Sequence, residues 1–397
     1  MSKKTRHLGG VPLIIIVLAL VGLLVACSPT VPDVVPEEEE QPAQEEEEEA
    51  EQAEEAPETI YWDSTSDVSS GATSGGTIDR YFSDLVREKS NGRLQIRLHW
   101  VEELCSREDN RIAIASGLVD MGSFSFGYLP TSMHSLQDQP FMGPPRTDQI
   151  ILTWKELEKN PLFKQEFDNY NMIHINHLGA DVYKGMGNVP IRTLEDFDGL
   201  RIRVWGAGLV DLMELCGAVP MVVGMPEMYG VLDTGLVDDV THVLSYLNST
   251  KVYEISDYYM PDLDLGIMTG FRVYNKDSYN ALPDDLQAVL DEVAATLPQV
   301  SHYMEQNPQR IQELEDLFRA EGLEFVPFED RPALEALASQ VWEAWAERCD
   351  WGYDAGKEGL AAYFAAKEKV LAEYPDGLPD WTEPFPWSDP NYSMFSD

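Results

Sequence analysis

The chain has 397 residues, of which 70 are acidic and 28 are basic, so its net charge at pH 7 is −42. So negative a chain repels nucleic acid and anionic lipid, which argues against both as binding partners. It also means that a site for an anion needs positive charge close by, set against a repulsive background.

The N-terminus has the pattern of an export signal. Basic residues within the first six positions precede an apolar run, Val11–Val25, which ends in small residues followed at once by Cys27. This layout is typical of a secretory signal, and it resembles the lipobox of bacterial lipoproteins, in which the cysteine is lipidated and becomes the mature N-terminus. The run is shorter than the ~20 residues of a membrane-spanning helix, although an uncleaved anchor helix remains an alternative. We therefore expect residues 1–27 to be a lipoprotein signal peptide and the protein to be extracytoplasmic, anchored to a bacterial membrane in the periplasm or at the cell surface.

A tether follows the signal. Residues 37–58 contain 13 Glu and no aromatic residue, so the segment cannot bury enough apolar area to offset the entropy cost of ordering it. Like charges also keep it extended. We predict that residues 28–58 form a disordered linker that holds a folded domain, residues 59–397, away from the membrane.

The folded part is longer than a single hydrophobic core usually supports, which favours two lobes. Its first section alternates strands and helices, the pattern of a mixed α/β lobe. These predicted elements are a strand from Thr59, a helix over Ile78–Lys89, a strand over Leu94–Trp100, a helix over Glu108–Leu118 and a strand over Val119–Phe126.

The rest of the chain predicts a second α/β unit and a helical C-terminal part. Its predicted elements are a helical stretch over Asp148–Asn169, strands over Met172–Leu178, Gly199–Val204, Val219–Val223 and Ile267–Asn275, helices over Leu209–Leu215 and Pro226–Thr234, a long helix over Pro283–Phe318 interrupted near Asn307-Pro308, and helices within Pro332–Tyr374. We expect lobe I to comprise about residues 59–180 and 268–300. Lobe II would then hold about residues 181–267 and the C-terminal helices.

No catalytic or cofactor signature is visible in the sequence. It has no GxGxxG, phosphate-binding loop, GxSxG or HExxH motif. His174 and His177 stand three apart in a predicted strand, which would put them on opposite faces and argues against a shared metal. We therefore predict a binding protein rather than an enzyme, without cofactor or metal. Besides Cys27, three cysteines remain, and they allow one disulfide with one free thiol, or three buried thiols.

The segment Leu194–Val204 resembles the strand-leading motif of the TRAP-transporter solute-binding family, the DctP-like proteins. Further stretches match that family in the same order: Ser116–Gly122, Gly217–Pro220, Pro226–Asp238, Lys251–Glu254 and Asn275–Pro283. The resemblance implies a periplasmic-binding-protein-like fold of two α/β lobes, joined by hinge strands and a long helix, that close over an anionic solute. It also implies capture of an organic acid and its delivery to a small and a large membrane subunit.

The family resemblance implies a carboxylate site around Arg203, whose planar guanidinium would form a salt bridge with the substrate carboxylate. The alternative is that Arg203 pairs with one of the many acidic groups. Many family members have a second arginine where this chain has Tyr183, and an asparagine where it has His242. Arg107 stands where the family often has an acidic residue, and it would restore positive charge.

Other positions also depart from the family pattern. Trp205 stands where proline is common, and Met225 replaces an aromatic residue. Ser64, Phe124 and Ser125 align with contacts from the first lobe. The departures predict a larger or more apolar carboxylate, although His242 as a core residue and Trp205 as a packing residue remain open. Two other functions also remain open: a binding domain that feeds a sensor, and a lipoprotein enzyme acting on acidic metabolites.

Overall fold

The computed structural model describes residues 58–68 and 74–379. The predicted signal peptide, Cys27 and the predicted linker up to residue 57 lie outside the described residues. Within the described ranges, no helix combines the length and the apolar character needed to cross a membrane.

The described strands form two separate sheets. In chain order they are β1 (Ile60–Thr65), β2 (Leu94–His99), β3 (Met121–Phe124), β4 (Met172–Val182), β5 (Lys184–Gly187), β6 (Arg201–Val204), β7 (Val219–Val222), β8 (Asp239–His242), β9 (Tyr258–Met260), β10 (Ile267–Asn275) and β11 (Glu324–Phe325).

The described α-helices pack on both faces of these sheets. In chain order they are α1 (Ser74–Lys89), α2 (Asn110–Ala115), α3 (Thr147–Leu157), α4 (Pro161–Asn169), α5 (Ala207–Leu215), α6 (Met228–Asp233), α7 (Leu244–Ser249), α8 (Lys276–Ala281), α9 (Asp284–Gln306), α10 (Pro308–Glu321), α11 (Arg331–Arg348) and α12 (Tyr353–Glu373).

The first lobe is built on the sheet β2-β1-β3-β10-β4. The strands β1, β2 and β3 are parallel, whereas β10 is antiparallel to β3 and β4. Alternate side chains of β10 enter two cores, because Phe271 and Val273 lie in one apolar cluster and Tyr274 lies in the other. The sheet is therefore buried on both faces, as strands covered by helices on each side require.

The second lobe is built on the sheet β11-β9-β5-β8-β6-β7. The strand β6 is parallel to β7 and β8, while β5 is antiparallel to β8 and β9. Ile202 and Val204 pack into one apolar cluster, and Met186 and Val240 pack into another. The prediction of two mixed α/β lobes is confirmed.

Strands and a broken helix connect the lobes. Tyr183 is the single residue between β4 and β5, and its backbone N–H donates to the carbonyl of Gly266, which directly precedes β10, at 2.9 Å. The long helical stretch breaks at Asn307, whose side chain accepts a hydrogen bond from the N–H of Gln309 at 2.9 Å and caps α10. The apolar face of α9 packs in the first lobe, and Phe318 of α10 packs in the second.

The C-terminal helices do not all pack on the second lobe, which corrects the expected lobe division. In α11, Val341 packs in a second-lobe cluster while Trp345 packs in a first-lobe cluster. In α12, the Tyr363 ring lies 5.5 Å from Trp154 of α3. The physical reason is that small residues line the buried face of α12, and Gly359 lets it approach the first lobe closely.

A β-bulge changes the predicted arrangement of two histidines. Ile175 is an extra residue in β4 relative to β10, because the register shifts there. His174 and His177 therefore share one face, and their ring centres lie 5.0 Å apart against Phe271. The prediction that they occupy opposite faces is wrong. Burial lowers the pKa of both well below its ordinary value, so they are neutral core residues.

Candidate functional site

The candidate site lies at the carboxyl ends of parallel strands in both sheets. In the first sheet, β1 and β3 are parallel and end at Thr65 and Phe124. In the second, β6 and β8 are parallel and end at Val204 and His242. Ligands of open α/β sheets bind in the crevice outside such strand ends.

Arg203 is buried at the end of β6, with 1% of its surface exposed. Its Nε and Nη2 atoms donate to the carbonyl of Val223 at 3.1 and 2.9 Å, and Nη1 donates to the carbonyl of Thr241 at 2.8 Å. The guanidinium carbon lies 6.0 Å from the ring centre of Trp205. The ends of two neighbouring strands thus hold the guanidinium plane in one orientation, which prepares it to meet a planar anion.

A row of aromatic rings lies beside Arg203. His242 lies 5.8 Å from Tyr183 and stacks on Tyr246 at 4.7 Å between ring centres. Burial lowers the pKa of His242 well below its ordinary value, and the positive charges of Arg203 and Arg107 lower it further. The ring is therefore neutral. Its Nδ1 accepts a hydrogen bond from the backbone N–H of Val243 at 2.9 Å, which leaves the ring proton on Nε2.

The first lobe contributes charged groups to the same region. Arg107 Nε lies 3.2 Å from Asp67 Oδ1. Burial raises the pKa of Asp67 to about 7, although Arg107 opposes the rise. Burial, followed by the negative charges of Asp67 and Glu305, also raises the pKa of Tyr246. Because Tyr246 belongs to α7 of the second lobe and both acids belong to the first, charged groups of both lobes act on one region.

The structure brings some predicted residues together and leaves others apart. The ring contacts and charge interactions just described link five of them: Arg203, Arg107, His242, Tyr183 and Trp205.

The remaining predicted residues have other surroundings. Phe124 packs in the first-lobe core, 5.0 Å from the ring centre of Phe126. Ser125 accepts a hydrogen bond from the N–H of Gly127 at 3.0 Å, and it does lie near Trp205, since a Cβ atom built on Gly127 would be 3.1 Å from Ser125 Oγ and 3.2 Å from Trp205 Nε1. Ser64 is buried within β1, and Met225 is half-buried in the turn after β7.

Three residues of the region were not predicted from the sequence: Asp67, Tyr246 and Asp138. The two acids give no sequence signal, because they are 2 of 70 acidic residues. Tyr246 gave no usable signal either, because His242 ends β8 and Tyr246 lies in α7, so their stacking depends on the turn between the two elements.

Neither a disulfide nor a metal cluster was found in the parts of the chain that are described. Cys105, Cys216 and Cys349 are free thiols, of which only Cys349 is buried. Over residues 58–68 and 74–379, no three His, Cys, Asp or Glu side chains are grouped so that they could hold a metal ion. The chemistry of the region is that of a buried cation, neutral ring donors and hydroxyl groups, which suits binding of an anion.

Comparison with known proteins identifies the family to which the sequence is similar. The family model described as "Bacterial extracellular solute-binding protein, family 7" (DctP) matches residues 65–348. The C4-dicarboxylate-binding periplasmic protein DctP of Rhodobacter capsulatus is 25% identical over 291 residues, which are 72% of this chain and 84% of that protein.

Solved structures share the fold. An extracytoplasmic solute receptor of Bordetella pertussis that binds pyroglutamic acid has a TM-score of 0.64 and 21% identity, covering 77% of this chain and all of that one. A TRAP periplasmic solute-binding protein of Desulfovibrio salexigens with bound orotic acid has a TM-score of 0.67 and 19% identity, covering 78% of this chain and 99% of that one.

Proposed function

The chain belongs to the bacterial extracellular solute-binding protein family 7, and we propose that it captures an organic acid for a TRAP-type importer. The observation that carries the proposal is the buried Arg203 guanidinium, held by backbone carbonyls at the carboxyl end of β6. The family consists of solute-binding proteins, and we extend this to propose that the chain binds its solute without turning it over.

The ligand carboxylate would meet Arg203 in the crevice between the lobes. A guanidinium and a carboxylate form two parallel hydrogen bonds, and both are strengthened when water is excluded. The Nε2–H of neutral His242 would donate a further hydrogen bond to the ligand. Lobe closure would be a hinge motion at the connections near Tyr183 and Asn307, favoured by the higher affinity of the closed state for the ligand.

The body of the acid is proposed to be apolar or aromatic. Tyr183, Trp205, His242 and Tyr246 present rings near Arg203. A second fixed positive charge at the position of Tyr183 would suit a second carboxylate, and a tyrosine does not supply it. The proposed solute therefore has one carboxylate and a body that stacks on rings.

The chain is also proposed to act outside the cytoplasm, tethered by a lipid on Cys27. The names of relatives such as the periplasmic protein of Rhodobacter capsulatus support an extracytoplasmic site of action. The lipid anchor rests on the sequence pattern around Cys27. Delivery of the acid to a small and a large membrane subunit follows from the TRAP function of the related receptors.

The test is thermal unfolding of the purified protein against a panel of mono-, di- and keto-carboxylates. A ligand that binds only the folded state must raise Tm by mass action. We expect one class of acid to raise Tm, and Arg203→Ala to abolish the rise. The matched control is Arg201→Ala, because Arg201 lies on the same strand but is exposed and pairs with Asp238. A neutral sugar that raises Tm while no acid does so would refute the proposal.

A further inference from the structure

One carboxyl oxygen of the first lobe lies without a hydrogen-bond partner among the described residues, at the boundary with the second lobe. Asp138 ends the 3-10 turn Met133–Asp138, and its Oδ2 atom is buried without a hydrogen-bond partner among the described residues. Burial raises the pKa of this carboxyl to about 8. A buried polar group without a partner costs free energy, and such groups are concentrated at functional sites.

The surroundings of Asp138 come from both lobes. A Cβ atom built on Gly127 would lie 3.0 Å from Asp138 Oδ2, 3.1 Å from Ser125 Oγ and 3.2 Å from Trp205 Nε1. Ser125 and Gly127 belong to the first lobe, whereas Trp205 directly follows β6 of the second. The Asp138, Ser125 and Trp205 atoms thus surround the position that a Cβ atom of residue 127 would occupy. This position is empty because residue 127 is glycine.

Trp205 connects this group to the proposed carboxylate site. Trp205 has Arg203 on one side, with the guanidinium carbon 6.0 Å from the indole ring centre. On its other side, Asp138 lies near the indole nitrogen. A ligand whose carboxylate is bound by Arg203 and whose body lies along the indole would therefore bring its far end towards Asp138.

We propose that Asp138 is a specificity-determining ligand contact, which accepts a hydrogen bond from an N–H or O–H group that the acid carries away from its carboxylate. The assignment rests on the carboxylate-binding function proposed above. It narrows the substrate class to acids with a hydrogen-bond donor, such as lactam, amino or hydroxy acids.

The chemistry favours a donor over a second carboxylate. A carboxyl oxygen accepts a hydrogen bond whether or not the other oxygen carries a proton, so Asp138 can receive a donor in either state. A second carboxylate would add negative charge beside a buried acid, in a chain whose net charge is −42. A ligand that donates a hydrogen bond to the buried Asp138 oxygen also gains binding free energy, which a ligand without a donor cannot gain.

The test compares acids that differ only in the donor. The pairs are pyroglutamate with cyclopentanecarboxylate, and 3-hydroxybenzoate with benzoate, with Kd measured by titration calorimetry on the purified protein. We expect the donor-bearing member of at least one pair to bind roughly 10-fold tighter. In Asp138→Leu, which has no acceptor, we expect that preference to fall to within about twofold, whereas Asp138→Asn keeps a carbonyl oxygen that accepts and should retain most of it. The Kd of the donor-free acid should stay unchanged.

Two further variants separate the possible outcomes. Asp316→Asn makes the same substitution at an exposed site on α10 and should leave every Kd as in the wild type. Gly127→Ala places a methyl group among the three polar atoms and should weaken the donor-bearing acid most. If acids bind with no preference for a donor, or if the preference survives in Asp138→Leu, this assignment is overturned while the proposed function stands. If no acid binds at all, the proposed function falls and the assignment falls with it.

Discussion

Two arginines lie near His242: backbone carbonyls orient Arg203, and Arg107 pairs with Asp67 of its own lobe. His242 adds no further charge, because burial and these two arginines keep its ring neutral. Tyr183 adds a ring and no charge, and only 3% of its surface is exposed between the connecting strands. The residues thus favour an acid that brings one carboxylate to Arg203 and stacks its remaining body.

Asp239 gives a prediction for stability against pH. Burial raises the pKa of its carboxyl to about 7, from 3.8. Between these values the folded chain holds a proton that the unfolded chain releases, so the free energy of unfolding falls as the pH rises from about 4 to about 7. Asp239→Asn removes this dependence. We expect the drop in Tm between pH 4.5 and pH 8 to be smaller than in the wild type by about 2 °C or more, measured by calorimetry.

Asp285, which is not among the charges that act on Asp239, provides the control. Its hydrogen bond with Arg93 lowers its pKa, so its contribution is already complete above the ordinary carboxyl range and is lost only as the pH falls through its lowered pKa. Asp285→Asn should therefore leave the slope of Tm against pH unchanged between pH 5 and pH 8. Parallel curves for Asp239→Asn and the wild type would contradict the account.

At the scale of elements, a buried ion pair joins α1 to the first sheet. Asp79 of α1 pairs with Arg272 of β10, and both are almost fully buried. Ser66 donates to Asp79 Oδ2 at 2.8 Å, and Arg272 Nη1 donates to Asn176 at 2.8 Å. We expect Asp79→Ala to lower the free energy of unfolding by about 3–5 kcal/mol, because it leaves Arg272 buried without its counter-ion. Denaturant unfolding measures this change.

The matched control for that pair is exposed. Asp285 at the start of α9 pairs with Arg93, and its side chain is 60% exposed. Asp285→Ala should leave the free energy of unfolding almost unchanged, since solvent screens such a pair. An equally small effect of Asp79→Ala would show that the buried pair does not join α1 to the sheet in the way described.

Elements with a strong period and clear end signals were predictable from the sequence. The predicted strand Ile267–Asn275 coincides with β10, and the predicted break near Asn307-Pro308 separates α9 from α10. The stretch Asp148–Asn169 was predicted as one helical run, yet it is two helices, because Asn160 caps a new helix at Pro161. Short strands such as β5 and β9 were not predicted, because three or four residues are too few to show a period.

The site was predictable only where the family resemblance supplied the position. Arg203 and His242 were chosen on the aligned motif, and the structure places both near the ends of neighbouring strands. Asp138 was not predicted, because the role proposed for it depends on its burial and on its closeness to Trp205, which is distant in sequence. The bulge at Ile175 was likewise missed, since a change of register depends on the partner strand and leaves no local signal.

At the scale of the whole molecule, the architecture and the net charge both favour an acid with a single negative charge. Two lobes meet at strand ends, and within residues 74–379 the chain passes between them at four places: β4 to β5, β9 to β10, α9 to α10 and along α11, which packs on both. The first 58 residues hold 3 basic and 14 acidic groups, which leaves a net charge of −31 on the rest of the chain. Such a field opposes entry of a dianion more than entry of an acid with a single negative charge.

Recognition of a carboxylate by Arg203 is tested most directly by changing the carboxylate of the ligand. The acid that raises Tm most would be titrated into the wild-type protein by calorimetry, alongside its primary amide, which has the same shape and no charge. We predict that the amide binds roughly 100-fold more weakly than the acid, because its NH2 group meets guanidinium donors and one charge-assisted pair is lost. Equal affinity for the acid and the amide would contradict the account.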